Sequence, residues 1–252
     1  MRGIDVSFEL VFLLLAGAAA GGFINGLAGF GTALMSLGIW LQVMPPWQAV
    51  SIVAAMSVAS GLQSMWIIRR DLRGNTGRLA RFLLPALVGI PLGSAALALI
   101  SAMTLKLTIA GIMLLYGAFF TLRRSLPAID RPTPVADATI GFLGGVLGGA
   151  ASLSGVLPTM WCAMQPWTKI ETSAVLRPYN VAILGGAVIL FAGRGYYSWD
   201  TLNLMAIAFP ATLASSQVGI AVFRRLTDDQ FRRLLIWLLL ASGVLLAVRE
   251  LA

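Results

Sequence analysis

Long apolar runs separated by short polar breaks dominate the chain. Read in order, they fall at 8–28, 30–44, 49–68, 82–101, 105–122, 138–151, 153–164, 170–192, 201–223 and 234–249. A helix crossing a bilayer needs about 20 apolar residues, with a range of roughly 17–25. By that measure 30–44, 138–151 and 153–164 are short, and all three are rich in small residues. They predict re-entrant or broken helices, because irregular backbone at membrane depth is tolerated only where protein or a water-lined cavity satisfies it. The first run follows Asp5, carries Glu9 at its start and is too long for the apolar part of a signal peptide, so it is expected to stay as a membrane helix.

The pattern repeats. Gly21-Gly22 is echoed by Gly144-Gly145, Pro46-Trp47 by Pro166-Trp167, and Pro85-Ala86 by Pro210-Ala211, in the same order and at offsets of 120 to 126. Gly89 and Gly93 align in the same way with Ser215 and Gly219, and small residues four apart let neighbouring helices approach closely. Two homologous halves are therefore expected. Residues 1–125 form the first membrane repeat, 126–136 a Pro-rich connecting loop, and 137–252 the second repeat.

Charge sets their relation. The third break of the first half carries Arg69, Arg70, Arg73, Arg78 and Arg81, and the matching break of the second half only Arg194. One break later the weights reverse, with Lys106 alone in the first half and Arg224, Arg225, Arg232 and Arg233 in the second. Basic loops stay cytoplasmic. The expectation is an all-α polytopic protein built from two inverted-topology repeats of about five segments each. Residues 69–81, 123–137 and 224–233 lie inside, with both termini and 193–200 outside.

Composition agrees. Apolar residues make up 58% of the 252 and charged residues only 11%, far too few to cover a water-facing surface. The net charge of +8 would point to nucleic acid in a soluble domain, but here it orients the chain, and no nucleic-acid partner is expected. There is no histidine and a single cysteine, Cys162, so no metal or cofactor is expected, and Cys162 is read as a packing residue. An embedded hydrolase needs a nucleophile with its base, or a metal with ligands, and an enzyme is not expected. No acidic residue lies in mid-segment. Glu171 and Asp200 come nearest, and both read as interfacial, which leaves the coupling ion open.

One basic residue sits well inside an apolar run: Arg177, followed by Pro178. An intramembrane arginine is costly, roughly 2.5–3.5 kcal/mol on insertion scales. The residue before proline is pushed from helical geometry, so the helix is expected to break there. A broken helix beside a guanidinium offers free amides and a planar fork to an anion. Tyr179 and Asn180 follow directly and can add hydrogen bonds, and Ser57 occupies roughly the equivalent place in the first half. The competing reading is that Arg177 snorkels to an interface or packs against helix-end carbonyls. A second candidate is the pair of turns at 25–32 and 148–155. There Asn25, Gly29, Gly31, Thr32, Ser152 and Ser154 offer backbone or side-chain donors, although close glycine packing of helices explains such turns too. Gln217, like Gln63 and Ser215, is a polar residue in an apolar helix, open to substrate contact or to interhelical bonding.

The two halves read GGFINGLAGFGTALMSLGIWLQVMPPWQAVSIVAAMS and GGVLGGAASLSGVLPTMWCAMQPWTKIETSAVLRPYN. Each runs from a Gly-rich stretch through a small-residue turn to a Pro-Trp loop and a helix of small polar residues. This resembles the sulfite exporter TauE/SafE family of bacterial membrane permeases over nearly the whole chain. The resemblance implies movement of sulfite, sulfonates or related organosulfur anions across the bacterial inner membrane. The partners expected are a small anionic substrate and the lipid bilayer, with a homodimer among the open assemblies. The alternatives are a permease for a non-sulfur organic anion and a non-transporting membrane subunit of a larger complex.

Overall fold

The computed structural model describes residues 8–67, 76–97 and 133–231, with isolated positions between 99 and 118 and between 233 and 237. Apart from such positions, the expected segments 105–122 and 234–249, the arginine-rich stretch 68–75 and the linker 119–132 lie outside the described residues. Every described element is an α-helix: α1 (Phe8–Ala28), α2 (Thr32–Trp40), α3 (Pro46–Ile67), α4 (Thr76–Leu97), α5 (Pro134–Ala151), α6 (Val156–Ala163), α7 (Lys169–Gly193) and α8 (Trp199–Arg225). Six of these, all but α2 and α6, are long and apolar enough to cross a membrane. The two short helices, of 9 and 8 residues, span only about 12–14 Å.

Two expectations need correction. The run read as a short 138–151 segment is an 18-residue helix beginning at Pro134, long enough to cross. Proline suits the first helical turn, where its missing N–H would have had no partner. Asp137, which made that turn look like loop, is held inside it by the Trp161 indole, whose Nε1 donates to Asp137 Oδ1 at 2.7 Å. The helix also does not break at Arg177, since α7 is continuous over 25 residues with Pro178 inside it. A single missing N–H removes one hydrogen bond, and neighbouring helices support the remainder. In the same way α4 carries Pro85 and Pro91, and α8 carries Pro210.

Small residues decide which helices touch. An added Cβ at Gly22 would overlap Thr212, at Gly26 Ser216, and at Gly219 Phe23. These contacts join α1 to α8. At Gly145 it would overlap Ala86, at Gly149 Ile90, and at Gly93 Val146, joining α5 to α4. Each contact of the first set has its counterpart in the second, 123 positions on for α1 and 126 back for α8. The partner numbers rise together, so α1 runs parallel to α8, and α4 to α5.

Other contacts fix the remaining directions. Gln48 donates to Thr201 Oγ1 at 3.2 Å, and Arg224 donates to Ile67 O at 3.0 Å, which makes α3 parallel to α8. Tyr197 donates to Ser51 O at 3.1 Å, Gly61 abuts Val181, and Arg177 donates to Ser64, so α7 runs against α3. Phe82 meets Tyr179 edge-on at 6.4 Å, and Arg194 donates to Ser94 O, so α4 runs with α7. Thus α1, α3 and α8 point one way and α4, α5 and α7 the other. Every long helix of the first half opposes its counterpart, an arrangement consistent with inverted repeats. Arg78, Lys169 and Arg224 gather at one end of the helices, and residues 194–201 lie at the other. At that other end Trp199 is exposed, while Tyr197 turns inward to Ser51.

Candidate functional site

Each short helix folds back on the long helix before it. Ser36 of α2 donates to Gly17 O at 2.8 Å, and Trp40 Nε1 donates to Leu14 O at 3.2 Å, so α1 and α2 form an antiparallel hairpin. Trp161 of α6 reaches back to Asp137 of α5 in the same manner. The turns that close the hairpins have matching geometry. Gly29 has φ +82° and its N–H donates to Asn25 O at 2.7 Å. Ser152, 123 positions later, has φ +57° and its N–H donates to Gly148 O at 2.9 Å. Gly31, at φ +95°, completes the first turn with a second left-handed residue, a conformation that glycine adopts without penalty.

The two turns enter from opposite ends and meet. Phe30 of the first lies directly against Gly155 of the second, where an added Cβ would overlap the Phe30 side chain. Both also rest on one face of α7. The first packs on Arg177, whose Cγ occupies the space a Gly29 side chain would need. The second is bonded to Asn180, which accepts from Ser154 Oγ. Arg177 and Asn180 stand three residues apart, and so face the same way on the helix.

Arg177 is completely buried, which removes the snorkelling reading. Nη1 donates to Ser64 Oγ, and Nη2 donates to Gly26 O and Leu27 O, each at 3.2 Å. Its Nε–H has no partner. Those two carbonyls belong to the last turn of α1, where helix-end acceptors go unbonded and the helix dipole is negative. Among the described residues Arg177 makes no ion pair; the pairs found there are Arg78–Glu171 at 3.4 Å and Arg81–Asp137 at 3.9 Å. Among the described residues, the counter-charge of the guanidinium is therefore a helix end and not a carboxylate.

Asn25, also fully buried, donates through Nδ2 to Ser57 O at 3.1 Å and to Ser60 Oγ at 2.6 Å, leaving its Oδ1 unbonded. Thr32 is buried with an unbonded hydroxyl, and Ser216, packed on Gly26, is the same. Ser152 donates to Val50 O at 3.1 Å and tethers the second turn to α3. Arg177, Asn180, Asn25, Ser57, Gly29, Gly31, Thr32, Ser152 and Ser154 thus cluster around the crossing of α3 and α7. Two of the expected residues stand apart. Tyr179 points the other way and donates to Gly141 O at 2.8 Å, locking α7 to α5. Gln217 is exposed on the outer face of α8.

Sequence reasoning missed Ser60 and Ser64. Their signal is the spacing Ser57, Ser60, Ser64, three and four residues apart, which lines one helix face with hydroxyls. It also missed Asp137, a buried carboxylate disguised as loop. Cys162 is a free, buried thiol, as expected of a packing residue.

Residues 13–246 match the family described as sulfite exporter TauE/SafE. The chain belongs to the TauE/SafE family. No curated protein and no solved structure matches it. As a TauE/SafE protein with six candidate membrane-spanning helices, it is a multi-pass membrane protein of a transporter family. Its short helices and crossed turns bring backbone ends, hydroxyls and a buried guanidinium together.

Proposed function

We propose that this TauE/SafE protein is a secondary transporter that carries a small anion of the sulfite or sulfonate class across the bacterial inner membrane. In this reading the halves are inverted repeats, and alternating access moves them about the crossing of α3 and α7. The observation that carries the proposal is Arg177: a wholly buried guanidinium, without a carboxylate partner among the described residues, and with its Nε–H unbonded. A permanent charge kept in the membrane interior at such cost is a functional group by default. A guanidinium fork matches two oxygens of a sulfite or sulfonate in a way an ammonium cannot.

The conformation described is closed, since no part of Arg177 reaches solvent. Ser64 and the end of α1 hold the guanidinium while it waits. An arriving anion takes over from these neutral acceptors with a full charge, and the exchange couples occupancy to the seating of the α1–α2 hairpin. The expected site is Arg177 with Asn180, flanked by Thr32, Ser154 and the left-handed turns.

Flux of labelled sulfite into liposomes containing only this protein tests the proposal and separates a carrier from a subunit without transport of its own. Arg177→Lys should retain folding but weaken anion binding roughly ten- to a hundredfold, the worth of one charge-assisted hydrogen bond of about 1.5–3 kcal/mol. Arg177→Ala should abolish measurable binding while monodisperse protein is still recovered. Normal flux through the alanine variant would make Arg177 a structural cap on α1 and nothing more.

A further inference from the structure

Phe223, near the C-terminal end of α8, touches two cations at once. Arg177 Cζ lies 5.0 Å from its ring centroid, and Lys169 Nζ lies 5.2 Å from it. Both cations belong to α7. They are separated by eight residues, a rise of about 12 Å, so Lys169 stands at the basic end of the molecule and Arg177 two turns deeper. The ring fills the interval between them. It is 5% exposed and is backed edge-on by Phe231 at 5.4 Å.

Lys169 grips the same residue a second time. Its Nζ donates to Phe223 O at 3.4 Å and to Leu226 O, the unbonded carbonyls at the end of α8. A phenyl ring has no charge, but its quadrupole presents a negative face. Placed between two like charges, it does in weak form what an anion would do in strong form. Among the described residues, the repeat-related position of α4 has no such device. Position 97, the counterpart of Phe223 126 residues earlier, is Leu97, which offers no ring.

We propose that Phe223 is the gate between the basic end and Arg177, and that Lys169 is the outer anion-binding residue of that route. The inference rests on Arg177 being the anion site. An anion arriving at Lys169 competes with the ring and with the α8 carbonyls for the ammonium. Once Lys169 lets go, the end of α8 swings away with Phe223, and the guanidinium is uncovered. The gate is thus opened by the class of solute it admits.

The test reads accessibility. A Ser64→Cys reporter in a Cys162→Ala background sits against Arg177. It is exposed from the basic end to sulfonatoethyl methanethiosulfonate, an anionic thiol reagent, in vesicles of known orientation. With Phe223 intact, modification should be slow. Phe223→Ala should speed it about tenfold or more, the factor expected when a desolvated cation–π contact is lost on both sides of the ring. Phe223→Leu keeps most of the apolar bulk, and so the fold, but lacks the quadrupole; it should also be faster than the parent. Adding Lys169→Gln to Phe223→Ala should slow the anionic reagent while leaving neutral methyl methanethiosulfonate unchanged. The proposal is overturned if neither Phe223 variant speeds labelling, or if labelling rises equally from the opposite end, as general loosening would produce. Sulfite flux by the unmodified protein is measured alongside. Flux without accelerated labelling sinks the gate alone, and accelerated labelling without flux sinks the transport reading alone.

Discussion

Gly29 shows how little space the site leaves at the scale of one residue. Its φ of +82° is open to glycine, and Arg177 Cγ lies where a side chain would project. Alanine there meets two obstacles. The left-handed backbone costs about 1–2 kcal/mol for any residue with a Cβ. The new methyl also pushes the guanidinium stem from its seat, breaking its alignment with Gly26 O and Leu27 O. Gly29→Ala should therefore lower the thermal midpoint and weaken sulfite binding together. Gly38, with nothing within 4 Å of an added Cβ, is the matched control inside α2. There alanine should be neutral or raise stability by up to about 1 kcal/mol, because helix propensity is all that changes. Paired thermal-shift curves with and without sulfite read both effects. Equal behaviour of the two variants would mean that the turn does not position Arg177.

Among elements, association in a bilayer cannot rely on apolar burial, because lipid is as apolar as leucine; close backbone approach has to do the work. The paired contacts of α1 with α8 and of α4 with α5 are made through glycines facing backbone carbonyls, which cannot step aside as a flexible side chain would. Gly145→Ala should lower stability by about 1–3 kcal/mol, as overpacking does. Gly22→Ala should cost about the same, because its neighbours are the repeat-related ones. Gly185→Ala in α7, with nothing within 4 Å, should cost nothing. Denaturation in mixed micelles ranks the three, and a Gly185 variant as damaged as the other two would defeat the packing argument. These helices were legible in sequence because small-residue spacing and apolar length are local properties. The Gly89 and Gly93 pattern announced its close contact, and the shortness of α2 and α6 showed in the runs that held them. What stayed hidden depended on partners. Asp137 looked like loop until Trp161 was seen to bond it, and Pro178 looked like a break until the surrounding helices were seen to carry it. Ser60 and Ser64 looked like filler in α3 until Asn25 and Arg177 arrived from helices distant in sequence.

For the molecule as a whole, the direction of each helix and the placement of charge lead to one arrangement. Arg78, Lys169 and Arg224 meet at one end, joined by the bond from Arg224 to Ile67 O and the pair of Arg78 with Glu171. Residues 194–201 lie at the other, tied to the start of α3 through Tyr197 and Thr201. If the halves were parallel, their matching loops would share a side and the arginines would be divided between both faces. With the halves opposed, Arg78, Lys169 and Arg224 fall together, and the expectation is that this end is cytoplasmic. The prediction is that Ser198→Cys and Asp229→Cys, each in a Cys162→Ala background, react from opposite faces of intact cells. Both positions are exposed, so access depends on the side and not on burial. An impermeant maleimide should modify Ser198→Cys in whole cells, and Asp229→Cys only after the membrane is opened. Labelling of both from outside would place the basic end in the periplasm and remove the inverted arrangement. Labelling of Asp229→Cys alone would keep the opposed halves but turn the protein over, so that the Lys169–Phe223 gate would face outward.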